Sequence, residues 1–255
     1  MCSFEYVSKA KWKPIKKELV ELIHYVQDEI REDFTFRYDF VGSSKRNMIT
    51  YDTKSNIGFD FDVDIEVNDD DESYSAKEIK QKLMNAFNRS RYRLKTYYNS
   101  CEDSTRVFTI KMIDHQKSRV IHSCDFAIVY NCSDGSQQYI RHNKSQNNYF
   151  WSEQTKRFSD LTRLEKAIKK HGLWNKVKDL YIDKKNKNTN IYKKSRSLYA
   201  ETIHEVYQLI KWEILRLSQK YISVSTKFNV SSKNKHTWNR AVYKNKFCPS
   251  ADNNQ

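Results

Sequence analysis

The sequence predicts an α+β fold with a helical C-terminal part. Two observations carry this. Apolar residues alternate at a period of two in several short segments within the first 130 positions, the mark of half-buried strands. At a period of three to four they recur before, between and after those segments, the mark of amphipathic helices. The resulting order is helix, strand, acidic strand, helix, hairpin, then helices. Strands and helices that do not alternate regularly indicate an α+β core.

Each element has its own signature. Over residues 9–31, Ile15, Leu19, Leu22, Ile23, Val26 and Ile30 form one helical stripe. Phe34, Phe36, Tyr38 and Phe40 then alternate with polar residues in a strand that ends at Gly42. A polar connection, Lys45 to Asn56, leads to Gly58-Phe59-Asp60-Phe61-Asp62-Val63-Asp64-Ile65, a strand with one apolar and one acidic face. The acidic run Asn68 to Ser73 lacks the ligand spacing and central glycine of an EF-hand and reads as a solvated turn and helix cap. Ile79, Leu83, Ala86 and Phe87 predict a helix over 75–90. Segments 106–113 and 119–130 read as a hairpin around Asp114 to Ser118. After the polar stretch Arg141 to Asn148 the pattern changes to helical, over 160–182 and 196–221, with Lys184 to Lys194 as a loop. The expected organisation is a core over 1–150, a helical part over 151–228 and a poorly ordered tail over 229–255.

Composition narrows the class. The 255 residues are 38% hydrophobic and 14% aromatic, enough for a substantial core. No window approaches a membrane span, and the N-terminus lacks the apolar stretch of a signal peptide. The five cysteines form no C-x-x-C pair, which argues against a disulfide framework or a zinc site and for a cytoplasmic location. The net charge of +14 suits phosphate-rich partners, although a chain this rich in Lys, Asn, Ile and Tyr also carries the mark of an AT-rich genome.

The chemistry concentrates in three places. On the acidic strand, Asp60, Asp62 and Asp64 share one face, with neighbours roughly 6.5 Å apart along the strand, within reach of one divalent-metal cluster. Asp is a poor strand former, so three on one face call for a reason. Gly42, Ser43 and Ser44 stand where a strand breaks. A glycine there admits close backbone approach, and the hydroxyls and N–H groups can meet phosphate oxygens, with Lys45 and Arg46 adding charge. Asp125 lies alone in the apolar strand Ser123-Cys124-Asp125-Phe126-Ala127-Ile128, where a carboxylate is costly to bury unless paired or metal-bound. Tyr149, Phe150 and Trp151 suit either base stacking or the core, and Lys193, Lys194 and Arg196 either a triphosphate or solvent.

An apolar residue, Gly-Ser, an acidic Asp-x-Asp strand and a third Asp on a later strand together resemble the signature of the DNA polymerase β-like nucleotidyltransferase superfamily. The likeness covers roughly residues 35–130 and looks towards bacterial nucleotidyltransferases and, more distantly, the oligoadenylate and cyclic-oligonucleotide synthases. It implies a polymerase β-like nucleotidyltransferase core, a mixed sheet with flanking helices, followed by the helical part. By this resemblance Asp60, Asp62 and Asp125 are catalytic residues and hold Mg²⁺ or Mn²⁺. Gly42, Ser43 and Ser44 bind the triphosphate of an NTP such as ATP, and NMP passes to a hydroxyl with release of pyrophosphate. The acceptor stays open among RNA, another nucleotide, a protein and a small molecule, with the basic charge balance leaning towards RNA or another nucleotide. Two departures stand out: 17 residues separate Ser43 from Asp60 (60 − 43), longer than is common, and the third alternating Asp leaves Asp62 with Asp64 as another possible pair. The alternative reading is a non-catalytic basic nucleic-acid-binding module, or a nucleotide sensor on the same fold.

Overall fold

The structure is a computed structural model that describes residues 3–69, 71–154 and 159–230. The chain divides into two compact units, residues 1–207 and 208–255. The first opens with a short strand β1 (Phe4–Tyr6), helix α1 (Lys9–Glu29), strand β2 (Thr35–Val41), a single helical turn α2 (Gly42–Lys45) and strands β3 (Thr50–Asp52) and β4 (Phe59–Asn68). Helix α3 (Ala76–Ser90) and strands β5 (Glu102–Asp103), β6 (Phe108–Asp114), β7 (Arg119–Asn131), β8 (Gln137–Asn143) and β9 (Asn148–Gln154) follow. Helices α4 (Ser159–Lys170), α5 (Trp174–Lys187) and α6 (Ser195–Val230) complete the described chain. Of the second unit, the described part is the α6 backbone from 208 to 230.

The central sheet is mixed, in the order β2-β4-β7-β6-β5, with β4 and β7 parallel and their outer neighbours antiparallel. β8 pairs with the end of β7 and β9 with β8, while β1 and β3 form a separate two-stranded sheet. Because side chains alternate along a strand, each central strand has one apolar face and one polar face. Phe59, Phe61, Val63 and Ile65 of β4, and Cys124, Phe126 and Ile128 of β7, are buried. They join the core with Leu19, Leu22, Ile23 and Val26 of α1 and Ile79, Leu83 and Phe87 of α3. Phe87, Phe108 and Phe126 pack ring against ring, with centroids 4.4–5.2 Å apart. Asp60, Asp62, Asp64 and Asp125 stand on the other face.

The acidic run before α3 acts as a cap. Asp69 accepts the backbone N–H groups of Ser73 and Tyr74, and Ser75 and Glu78 form a reciprocal capping box. Asp70 lies outside the described residues.

Three boundaries differ from the sequence reading. The polar stretch 141–148 holds the turn of a further hairpin, β8–β9, and not the end of the strands, and Asn147 takes a positive φ of 47° where it closes. The segment 160–182 is two helices broken at Gly172, whose φ of +71° no helix interior accommodates. Residues 184–187 close α5 instead of opening a loop. At the C-terminal end, 229 and 230 continue α6, and the remainder of the expected tail lies outside the described residues. Among the described residues no helix is long and apolar enough to cross a membrane.

Candidate active site

Register brings the acidic residues together. In the parallel pairing of β4 with β7, Asp62 stands opposite Asp125, Asp60 opposite Ser123 and Asp64 opposite Ala127. On its other side β4 pairs with β2, which sets Asp62 beside Val41 and Asp64 beside Asp39. Asp60, Asp62 and Asp125 therefore share one face of adjacent strands although some 60 residues separate them in sequence. Gly42 follows directly at the end of β2. Its φ is +61°, and a Cβ there would lie 2.2 Å from Asp62 Oδ2. Both the left-handed backbone and the carboxylate behind it require glycine. Gly58 meets a second limit: a Cβ would lie 2.0 Å from the carbonyl oxygen of Ile121, so glycine lets β4 start flush against β7.

The electrostatics sort the four aspartates. Burial, then Asp60 and Asp125, push the Asp62 carboxyl up to about 7, against the pull of Arg46. Asp60 keeps contact with solvent, yet the cleft walls surround it; this confinement, then Asp125, raises its pKa, and Lys185 opposes the rise. Asp64 is pushed to about 6 by burial and by Asp39, with Lys45 opposing. Asp125 thus raises both Asp60 and Asp62, whereas the carboxylate that raises Asp64 is Asp39, which pairs with Lys45. Thr109 of β6, in register with Asp125, donates its hydroxyl to Asp125 Oδ1 at 2.6 Å.

Asp60, Asp62, Asp64 and Asp125, with Gly42 and Gly58, line a cleft of about 880 Å³ within the first unit. Ser43 lines it beside Gly42 and Asp62. Ser44 is buried, and its hydroxyl donates to the carbonyl of Val41 at 2.9 Å, closing the turn and committing the hydroxyl proton within the protein. Arg46 lines the wall with its guanidinium 4.1 Å from the centre of the Tyr199 ring. From α5, Lys185 donates to Thr50 Oγ1 at 2.7 Å and lies 4.0 Å from the centre of the Phe4 ring.

Of the basic residues after α5, Arg196 lines the cleft, while Lys193 pairs with Glu201. The aromatic trio sits on β9, away from the cleft lining: Tyr149 and Trp151 pack on the core and Phe150 is exposed. Sequence reasoning passed over Thr109, Arg106, Tyr139, Tyr181, Lys185 and Tyr199. Thr109 alone had a visible signal, a hydroxyl between Phe108 and Ile110 in an apolar strand. The others reach the cleft through helix and hairpin placement.

As a donor set, the three mutually repelling carboxylates suit a hard divalent cation such as magnesium, which takes oxygen ligands. Burial first, and the neighbouring Asp60 and Asp125 carboxylates second, hold the Asp62 pKa up at this point. As the side chains stand, no group of three or more His, Cys, Asp or Glu among the described residues is drawn in around a metal position.

No protein-family model matches the chain, and no curated protein matches it in sequence. Solved structures do. The Vibrio cholerae DncV cyclic AMP-GMP synthase, in complex with a linear intermediate, is 13% identical, with a TM-score of 0.47 over 79% of this chain and 52% of that one. The Elizabethkingia meningoseptica CdnE cyclic dinucleotide synthase, with GTP and Apcpp, is 11% identical, with a TM-score of 0.44 over 74% and 67%. The Bradyrhizobium diazoefficiens CD-NTase CdnG, with GTP, is 12% identical, with a TM-score of 0.40 over 59% and 41%. The chain thus spans from 41% to 67% of the length of these three proteins.

Proposed function

We propose that this chain is a magnesium-dependent nucleotidyltransferase that moves NMP from an NTP to a hydroxyl acceptor and releases pyrophosphate. The observation that carries the reading is the β4–β7 register. It sets Asp62 beside Asp125, with Asp60 on the same face and a left-handed Gly42 pressed against Asp62. A plain structural sheet has no use for a repelling triad of this kind.

Asp60, Asp62 and Asp125 are the residues that would hold magnesium. When bound, the metal supplies charge neutralisation at the transferred phosphoryl group and a lowered pKa at the acceptor hydroxyl. The rest falls to the protein. Thr109 occupies Asp125 Oδ1 and fixes the carboxyl, so Oδ2 is left to accept the proton of the acceptor hydroxyl. Gly42 and Ser43 offer an open backbone and a hydroxyl to the triphosphate, and Arg46 and Lys185, which also line the cleft, oppose its negative charge. The acceptor hydroxyl belongs to RNA or another nucleotide in this reading, and the reaction takes place in the cytoplasm.

The test is incubation with each α-labelled NTP, magnesium or manganese, and total RNA or nucleotides. Label should move to a product, pyrophosphate should appear, and an Asp62→Asn variant should do neither. NTP binding without turnover in any metal would overturn the enzymatic reading and leave a nucleotide-binding protein.

A further inference from the structure

Among the described residues, the two most exposed large apolar side chains are neighbours in the chain. Ile191 and Tyr192 are 80% and 83% exposed, in the turn between α5 and α6. One apolar side chain in water needs no explanation. Two adjacent ones held out by a built turn do.

The turn is fixed by its own hydrogen bonds. Asn188 Nδ2 donates to the carbonyls of Asn190 and Lys193 at 3.1 and 3.3 Å, and Asn188 Oδ1 accepts the Asn190 N–H at 3.2 Å. Asn190 Oδ1 accepts the Tyr192 N–H at 2.9 Å, and the Lys193 N–H donates to the Asn190 carbonyl at 3.1 Å. Two asparagine side chains thus occupy the backbone groups on either side of Ile191 without help from the rest of the fold. Backbone groups paired in this way can leave water at low cost, which unpaired ones cannot.

The surroundings are basic. Between Asp183 and Glu201 the chain carries five lysines, one arginine and no carboxylate. Lys185 and Arg196 line the cleft, and the other four lysines flank the turn. Lys184, Lys187 and Lys193 line a hollow of about 400 Å³ with Asn188 and Asn190. Each has one carboxylate, Glu205 at 2.6 Å, Asp183 at 2.8 Å and Glu201 at 2.8 Å respectively. Surface pairs of this kind are weak and leave ammonium N–H groups for a further anion. Lys194 is exposed and has no carboxylate partner among the described residues. An aliphatic and an aromatic side chain at a tip ringed by lysines match the boundary of an anionic bilayer. A nucleic acid would use the lysines and leave Ile191 in water, whereas a bilayer uses both.

We propose that the α5–α6 turn docks this protein on a membrane surface that contains anionic phospholipid. Ile191 and Tyr192 enter the interface, and Lys187, Lys193 and Lys194 meet the headgroups. The docking is peripheral and uses no cleft residue, so it stands or falls separately from the nucleotidyltransferase reading.

Co-sedimentation of the full chain with vesicles tests this, using phosphatidylcholine alone and phosphatidylcholine with about 30% phosphatidylserine. The native protein should partition at least about tenfold more strongly onto the mixed vesicles, the yield of two or three lysines at a charged surface. A net charge of +14 also draws the chain to anionic vesicles by diffuse attraction, so the deciding variant keeps the charge. In the double variant Ile191→Ser, Tyr192→Ser, partition onto the mixed vesicles should fall at least about tenfold, as loss of two inserted apolar side chains requires. Its melting temperature should match that of the native protein, since both side chains are exposed. Lys194→Gln should lower partition by a smaller factor and flatten its dependence on salt. A native protein that sediments with neither kind of vesicle, or equally with both, would overturn the proposal. A double serine variant that sediments as the native chain does would overturn it as well, because diffuse charge would then account for the binding.

Discussion

The two faces of β4 and β7 are built from the same ten or so consecutive residues and obey opposite rules. On the helix-covered face, Phe59, Phe61, Cys124 and Phe126 are almost wholly buried, and even the one titratable ring, His122, stays neutral. Its Nε2 meets the Tyr98 hydroxyl at 2.9 Å, and burial pulls its pKa down to about 4. On the cleft face, carboxylates are held close enough to raise one another's pKa. One face minimises free energy by excluding water and charge. The other holds charge in a state that a folded protein without ligand does not favour. Local disfavour of this kind marks a site that a ligand completes.

The sharpest break of this contrast is Asp62→Asn. Turnover should fall by about 10²–10³-fold or more, the scale of losing one preorganised charge at a transition state. Stability in a chelator should move the other way. The folded-state pKa of Asp62 is raised above its unfolded value, so this group favours the fold only while protonated. Its contribution is full below pH 4 and fades as pH rises towards about 7. At pH 8 the Asn variant should therefore be more stable than the native protein by on the order of 2 kcal/mol and unfold at a higher temperature. An unchanged or lower melting temperature, read by circular dichroism in EDTA, would count against a repelling triad.

The core face predicts the opposite pairing of effects. Phe61→Ala should cost roughly 3–5 kcal/mol of stability, as removal of a buried ring does. What remains folded should bind NTP normally, because the side chain points away from the cleft. Denaturant melts and nucleotide titration on the same sample separate the two quantities.

A smaller effect compares the faces by pH alone. His122 has a folded pKa below its unfolded value of about 6.5, so its contribution is full above that pH and is lost as pH falls towards about 4. The carboxylate limb runs the other way across the same window, and Asp60, Asp62 and Asp64 together outweigh one histidine. Stability in a chelator should therefore fall from pH 4 to pH 7. In Asp62→Asn the fall should be shallower, and saturating magnesium should remove most of it. A native protein that gains stability steadily over this range would show that the carboxylates are not coupled.

The sequence carried one face better than the other. Alternation in β4 and β7 announced which residues enter the core, and it placed Asp60, Asp62 and Asp125 on outward positions before any pairing was known. It could not say that β4 and β7 are parallel neighbours, because register is fixed by long-range contacts. The preference for Asp60 over Asp64 rested on the place of Gly58; the structure adds the reason that Asp64 faces Asp39. The remaining cleft wall was hidden for a different cause. Lys185, Tyr199 and Arg106 sit in ordinary helical or loop contexts, and nothing local distinguishes a cation that faces a cleft from one that faces water. The β8–β9 hairpin was missed because its turn, Asn143 to Asn148, is polar enough to pass for an interdomain connection.

Ser43 and Ser44 give the smallest and most discriminating comparison, since adjacent and identical residues face opposite ways. Ser43 lines the cleft. Ser44 is 2% exposed, with its hydroxyl committed to Val41. Ser44→Ala should therefore cost about 1 kcal/mol of stability, the net worth of one buried hydrogen bond, and leave NTP affinity unchanged. Ser43→Ala should leave stability unchanged within about 0.5 kcal/mol and weaken NTP binding several-fold, with a smaller effect on turnover at saturation. A hydroxyl that contacts the triphosphate tail contributes equally to ground state and transition state, so its loss appears in affinity. Thermal melts and calorimetry on both variants read the two columns of this comparison. If Ser44→Ala weakens NTP binding as much as Ser43→Ala does, the turn acts as a unit and the separate roles assigned to the two hydroxyls fall.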